Sequence, residues 1–350
     1  MPSPRRTLIV GDGLAGALVA WELHHRGLAF EQWSDGGPAA SDVAAGMFNP
    51  VSFRRILAQW NAKVQQEEAQ TRFQQIEKEL GIELWHRVPI VRIFPDEAYA
   101  ELWNERAEGD HEVSEFLETL TSSDLHESVI APFGAGRIPN AGWLDVPSFT
   151  RASRERWRSQ GDWQLQSWKM ADGCPDGFDA VIDCRGVGAA NDLALFGLEL
   201  RRNHGEVLNI QPSEDWGQET VNNVSWALPL PDGTYRVGST YRWDVVEPVC
   251  LEETPAHLLE QVTRVRCQSD REPQIMQHQA GLRPSCFDRR PILGQVSPKH
   301  PYYFACTGWG TRGVSIGPTM VRWVVQALLG EISEVPSEVH PKRFRTFTEN

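Results

Sequence analysis

Gly11, Gly13 and Gly16 stand in the spacing G-x-G-x-x-G. The apolar run Leu8-Ile9-Val10 precedes them, and Leu14, Leu18, Trp21 and Leu23 follow at helical spacing until Gly27. A strand, a glycine turn and a helix in that order suit the binding of a dinucleotide pyrophosphate. Gly11 permits the tight turn, Gly13 lets backbone reach the phosphates, and Gly16 lets helix and strand pack closely. The helix start, with Leu14 and Ala15, offers the anion free N–H donors and the positive end of the helix dipole. The spacing alone is common in loops; its place between a strand and a helix favours a cofactor site over a bare turn. Such a site calls for an acid at the end of the second strand, about 20 residues on, to hold a ribose hydroxyl. That strand is expected over 28–33, the residue in register is Ser34, and Asp35 follows. Either could reach the ribose and Glu31 is a third candidate; Asp35 is preferred.

The rest of the chain must supply the frame. Its 350 residues suffice for about two domains, or for one large α/β unit with an inserted second sheet. Hydrophobic residues make up 41%, with 14 Trp and 14 Phe, so a sizeable core is available. A net charge of −13 argues against a large basic surface, and no nucleic-acid partner is expected. The six cysteines form no CxxC and no zinc-type cluster, which points to scattered thiols in a reducing compartment and no metal centre. The N-terminus does not resemble a signal peptide and no apolar run is long enough to span a bilayer. The reading is cytoplasmic, with no membrane span.

Apolar periodicity predicts a helix over 54–80, ended by Gly81, and a strand over 88–94. Residues 97–128 read as an acidic surface excursion, helical or irregular. A helix is expected over 148–160 with Ser148 as its cap, then strands over 163–170 and 178–184. Residues 225–244 read as a β-hairpin turning at Pro231-Asp232-Gly233, and Thr254-Pro255 opens a helix reaching about Arg266. The strand 302–306 leads through a glycine-rich segment to a helix over 319–329, with Pro318 in its first turn.

Several segments resemble the D-amino acid oxidase/glycine oxidase family of FAD-dependent flavoproteins. Ser41, Ala44, Ala45, Gly46, Asn49 and Pro50 resemble the family's S-x-x-A-A-G-x-x-N-P loop, which runs beside the cofactor. Residues 134–145 are similar to its Gly-x-Gly strand and "aGwldp"-like turn, and His204 to Leu208 to its "rGq-v" strand. Gly281 to Gly294 resembles G-L-R-P-x-(x)-x-D-x-x-P-x-[IL]-G. By position, that resemblance implies that Arg283 holds a substrate carboxylate in a bidentate fork, a role a planar, permanently charged guanidinium suits. The competing reading is a structural ion pair. Gly310-Thr311-Arg312-Gly313 with Val314 resembles the segment whose helix start faces the flavin's N1–C2=O edge, with the N–H groups of Gly313 and Val314 as contacts. This G-x-G-[ST]-R-G pattern is also similar to the oxidase domain of a bifunctional tRNA-wobble-uridine-modifying enzyme. Gly186 keeps the glycine of the turn that lies against the cofactor's adenosine end. The hairpin implies Trp226, or Tyr241, as an aromatic beside the substrate. Packing alone would equally account for both aromatics. Cys286 does not align with the cysteine that carries covalent flavin in related sarcosine oxidases, so FAD is expected to be non-covalent.

The resemblance implies an α/β fold: a Rossmann-like FAD-binding three-layer domain with an inserted antiparallel-sheet α+β substrate domain. The first is expected from 1–80, 141–204 and 280–340, the second from 81–140 and 205–279, with 341–350 a loose tail. It also implies oxidation of the C–N bond of an amino acid or related secondary amine by hydride transfer to flavin, with O2 or an unknown acceptor taking the electrons. Such a reaction needs alignment and electrostatics more than a dedicated base, and none of the ten His stands in a catalytic setting. Three alternatives stay open: oxidation of a 2-hydroxy acid, removal of a carboxymethyl group from a modified tRNA base, and a flavoprotein without turnover.

Overall fold

The strand Thr7–Val10 lies at the centre of a six-stranded sheet, flanked by Phe30–Ser34 and Ala180–Asp183. The computed structural model describes residues 6–266 and 271–344. Outward from the centre, Trp163–Leu165 pairs with Phe30–Ser34, and His300–Thr307 pairs with Ala180–Asp183, all parallel. Ile292–Ser297 closes the far edge antiparallel to His300–Thr307. The central strands are buried along their length, which is why they read as continuous apolar runs.

Four helices, Leu14–His25, Ala62–Leu80, Val146–Gln160 and Gly313–Leu328, share one apolar core with this sheet. Their far side is closed by a small antiparallel sheet of Met47–Phe48, Gly142–Leu144 and Trp85–Arg87. Phe48 stacks on Trp85 with ring centroids 3.9 Å apart, and Phe73 of the second helix sits edge-on to Phe149 at 5.5 Å. The result is a sheet–helix–sheet layering. Its core holds fully buried Trp21 and Trp157, and burying a large apolar side chain stabilises by about 1.5–3 kcal/mol. The first and last helices approach closely, because Gly313 and Gly317 leave room for Leu14 and Leu18. A Cβ at Gly317 would stand 2.7 Å from Leu18.

The second layer system is an eight-stranded sheet. Its order is Gln274–Ser285, Arg201–Gln211, Tyr235–Gly238, Trp226–Pro229, Thr220–Asn222, Ile90–Ile93, Ala135–Ile138 and Glu118–Leu120. All pairings are antiparallel except Thr220–Asn222 with Ile90–Ile93. Two of its strands, Arg201–Gln211 and Gln274–Ser285, run unbroken through 204/205 and 279/280. We propose those positions as the points where the chain passes between cofactor and substrate regions.

Several boundaries differ from expectation. Residues 51–58 form a tight hairpin around buried Ile56, and the helix starts only at Ala62, because Ile56 and Asn61 both take positive φ. Residues 97–108 are a helix capped by Asp96, with Trp103 fully buried beneath it, so this region carries a core of its own. The 146–160 helix is capped by Asp145, whose carboxylate accepts from the Ser148 N–H at 3.1 Å; Ser148 is a donor inside the first turn. The last long helix begins at Gly313, which leaves Pro318 in its interior, lacking the N–H that would bond Val314. Residues 341–344 are packed: Phe344 is buried and Arg343 pairs with Asp288 at 2.7 Å. Residues 345–350 lie outside the described ones. No described helix is long and apolar enough to cross a membrane.

Candidate functional site

The glycine turn is locked by sterics. Gly11 has φ +100°, and a Cβ there would meet the Cys184 carbonyl at 2.8 Å; one at Gly16 would stand 1.9 Å from the Gly11 oxygen. Gly13 is the helix N-cap with no side-chain cap, and the first turn carries no acid. The Leu14 N–H donates to Ser41 Oγ at 2.9 Å, while Ala15 and Gly16 at the helix start have no intrahelical acceptor. Ser41 sits in the loop that crosses this helix end, and Gly13 through Ala15 are only half-buried. An uncapped helix start with free donors and no negative charge is a built anion site.

At the end of the second strand, Ser34 is buried and donates to Asp12 at 2.8 Å. Asp12 also accepts from Arg154 Nε at 2.5 Å and Trp163 Nε1 at 3.3 Å. Asp35 is exposed and holds the Gly37 N–H of its own turn at 2.9 Å, pointing its carboxylate into local backbone instead. Glu31 is held by Arg6 and Trp33. Asp12, from the glycine turn, is the acid bonded to Ser34 at the end of that strand. Sequence reading passed over Asp12 because the motif leaves that position unspecified.

The small-residue loop packs closely on its neighbours. Gly46 has φ +68°, and a Cβ there would strike the Leu144 carbonyl at 1.9 Å. The Ala44 carbonyl accepts from Arg236 Nη1 at 3.1 Å, and Ala45 lies between them, half-buried. Val43 covers Gly281, where a Cβ would meet it at 2.4 Å. Gly186 has φ +59°, a Cβ there would touch Pro284 at 3.8 Å, and the Thr307 hydroxyl donates to its carbonyl at 3.3 Å. Neighbouring Arg185 pairs with Asp183 at 2.6 Å and Asp192 at 2.7 Å, a structural role that fills the place of the missing turn residues.

The last helix repeats the first. Arg312 is its N-cap without a side-chain cap, and Gly313, Val314 and Ser315 form a first turn without acids. Gly310 has φ +58° and its N–H donates to the Pro284 carbonyl at 2.8 Å, tying this helix start to the strand that carries Arg283. Thr311 is exposed. Arg312 donates to the Arg289 carbonyl, and burial, with Arg290 and Arg289 nearby, lowers its pKa. Two helix starts, each without a side-chain cap or an acid in its first turn, are the features that suit the pyrophosphate and ring edge of a flavin dinucleotide.

Arg283 stands on the Gln274–Ser285 strand of the eight-stranded sheet. Its Nη1 donates to Asn203 Oδ1 at 3.0 Å and to the Thr240 carbonyl at 3.2 Å. Among the described residues no acid pairs with it. Burial pulls its pKa down, and Tyr241 opposes that shift, its ring 4.7 Å from the guanidinium. Gly205 lies directly under the guanidinium, with a would-be Cβ 2.1 Å from both Nη atoms. Trp226 lies on the same face, where its ring crosses Gly238 at 2.8 Å from a would-be Cβ. Tyr241 is 58% exposed, so it reads as a rim residue rather than a buried wall. Arg236 shares this face as well; it donates to Asn209 at 3.0 Å, and burial lowers its pKa too. Asn203 and Arg236 went unseen in the sequence, and Gly205, quoted there only within the "rGq-v" strand, was not linked to Arg283, since each acts through a cross-strand contact.

A family model described as FAD dependent oxidoreductase matches residues 6–327. The fold is similar to that of glycine oxidase from Bacillus cereus, with a TM-score of 0.80, 19% identity, and coverage of 94% of this chain and 96% of that one. Iminodiacetate oxidase from Chelativorans sp. BNC1 gives a TM-score of 0.79 at 21% identity, covering 96% and 100%. A curated relative, the tRNA 5-methylaminomethyl-2-thiouridine biosynthesis bifunctional protein MnmC of Legionella pneumophila, is 20% identical over 67% of this chain. The chain spans about 40% of that relative's length.

Proposed function

This chain belongs to the family of FAD-dependent oxidoreductases, and from that premise we propose that it oxidises the C–N bond of a small amine or amino acid bearing a carboxylate. The observation that carries this reading is Arg283: a largely desolvated guanidinium with one side tied to Asn203 and Thr240, and no acid partner among the described residues. A buried cation without a counter-charge is costly and suits an anionic ligand. The names of the structural neighbours, glycine oxidase and iminodiacetate oxidase, support a carboxylate-bearing amine.

Bound FAD supplies the hydride-accepting chemistry. Gly11, Gly13, Leu14, Ala15, Gly16 and Ser41 would hold its pyrophosphate, Asp12 and Ser34 its ribose side, and Gly313 and Val314 the ring edge. The positive start of the 313–328 helix favours negative charge developing there. Arg283 anchors the carboxylate, and Asn203 with Thr240 fixes the guanidinium so that the neighbouring carbon is presented in one orientation. Tyr241 and Trp226 limit access of water from the sheet side. No described His or carboxylate hydrogen-bonds to Arg283, Tyr241 or Trp226, so the amine enters neutral and no base takes a proton from it. Attachment is non-covalent, because Cys286, the thiol nearest the signature, is buried and its pKa is pushed up to about 12 by that burial. O2 is the proposed electron acceptor.

The test is Arg283→Leu beside Arg283→Lys. The first raises KM for carboxylate amines by at least about 100-fold, as removal of a buried charge partner does, while flavin content stays at wild-type level. The second recovers part of the loss. An unchanged KM in Arg283→Leu removes the carboxylate anchor.

A further inference from the structure

On the opposite face of the strand that carries Gly205, three potential ligands from distant parts of the chain converge. Glu206, Cys250 and His278 each bring one ligand atom to within 4.8 Å of the others. Glu206 is fully buried, and its carboxylate accepts from Thr254 Oγ1 at 2.7 Å, the Leu251 N–H at 2.8 Å and His278 Nε2 at 2.7 Å. A second feature points at the same spot. His204 is fully buried, and its Nε2 donates to the Val249 carbonyl at 2.8 Å. That bond puts the proton on Nε2, so in the neutral ring Nδ1 carries a bare lone pair. It has no hydrogen-bond partner, and it faces Glu206 Oε1 at 3.9 Å. Two buried acceptors turned toward each other repel unless positive charge or a donor lies between them.

We propose that Glu206, Cys250 and His278 form a binding site for a divalent metal ion of the zinc class. A thiolate, an imidazole and a carboxylate are the ligand mix that Zn2+ takes, and three protein ligands leave a fourth position to water. That water gives His204 Nδ1 the donor it lacks. On binding, the Cys250 thiol proton leaves to solvent, the His278 proton moves from Nε2 to Nδ1, and Nε2 and Sγ bond the metal beside a Glu206 oxygen. The site pins the segment following Tyr241: His204 and Arg242 exchange backbone bonds at 2.8 and 2.9 Å, and Leu251 and Thr254 bond Glu206. Metal binding therefore stiffens the strap that leads away from the Arg283 pocket. It stands irrespective of the reaction proposed above.

The experiment uses the full-length protein, stripped with chelator and titrated with Zn2+ alone, with bound metal counted after gel filtration. One equivalent per chain is expected, together with a rise in thermal midpoint. Cys250→Ser and His278→Gln each lower affinity by about tenfold or more, whereas Cys174→Ser, a thiol elsewhere on the surface, leaves it unchanged. Co2+ in place of Zn2+ gives intense tetrahedral ligand-field bands, at longer wavelength than flavin absorption, that vanish in Cys250→Ser. Stoichiometric binding that survives both substitutions overturns the site, as does the absence of a retained equivalent in the wild type.

Discussion

Arg283 lies over bare backbone: a Cβ at Gly205 would stand 2.1 Å from both of its Nη atoms. The guanidinium is thus positioned by the absence of a side chain on the neighbouring strand, and by Asn203 two residues earlier. Gly205→Ala keeps every charge but lifts Arg283 from its seat. Overpacking of this kind costs about 1–3 kcal/mol, so KM should rise roughly tenfold to a hundredfold with flavin content unchanged. Steady-state kinetics on carboxylate amines reads this directly. An unaltered KM would mean that the guanidinium position is irrelevant to substrate binding.

The adenosine end offers a choice between two acids. Asp12 is bonded by Ser34, Arg154 and Trp163, whereas Asp35 faces solvent. Asp12→Asn weakens FAD binding by about tenfold, the scale of one charge-assisted hydrogen bond, and Asp35→Ala leaves it unchanged. Fluorescence titration of the stripped protein with FAD measures both. The reverse ranking would restore the acid preferred from sequence.

Gly16→Ala tests the glycine turn. The added methyl carbon would fall 1.9 Å from the Gly11 carbonyl, a rigid backbone atom. The purified variant should carry well under half the wild-type flavin per chain and melt at a lower temperature. A full complement of flavin would show that the turn can yield without losing the cofactor.

Glu68 ties the second helix to the last one through Thr319 at 2.6 Å and Arg322 at 2.7 Å. Burial pushes its pKa up, but the hydrogen bonds from Arg322 and Thr319 outweigh it and the net shift is downward. A carboxylate whose folded pKa is depressed stabilises fully above the unfolded value, about 4.3, and that contribution is lost as pH falls through the folded pKa. The wild type should therefore lose stability below about pH 4 more steeply than Glu68→Gln. Urea midpoints across that range give the comparison, and parallel curves would exclude Glu68 as a contributor.

Denaturation offers a simpler check on attachment. With Cys286 buried and its thiol pushed up to about 12 by that burial, this cysteine offers no thiolate to hold the flavin. Acid precipitation should leave all flavin in the supernatant. Yellow colour in the washed pellet would contradict this.

The elements proposed to hold the cofactor were legible because they are local. The glycine turn, the small-residue loop and the 310–314 segment each place their chemistry within a few consecutive residues, and Arg283 is flagged by its own signature. What could not be read depends on pairing between strands far apart in sequence. Asn203 meets Arg283 only because two long strands align in register; the same pairing brings Glu206 to His278, and Cys250 joins them from the loop before the 254–263 helix. Helix starts misled for a different reason. Leu57 and Trp60 fit the helical period of 62–80, yet Ile56 and Asn61 adopt positive φ without being glycine, so no local signal marked the break. At 145–148 two good capping residues compete, and Asp145 prevails by taking the Ser148 N–H.

The most direct test is the visible spectrum of the purified protein, recorded before and after anaerobic addition of amino acids, N-substituted glycines and 2-hydroxy acids. An oxidised-flavin spectrum that bleaches with a carboxylate-bearing amine, and does so only at far higher concentration in Arg283→Leu, is the predicted result. Bleaching with 2-hydroxy acids alone, or a flavin that no carboxylate amine reduces, would contradict the proposed reaction.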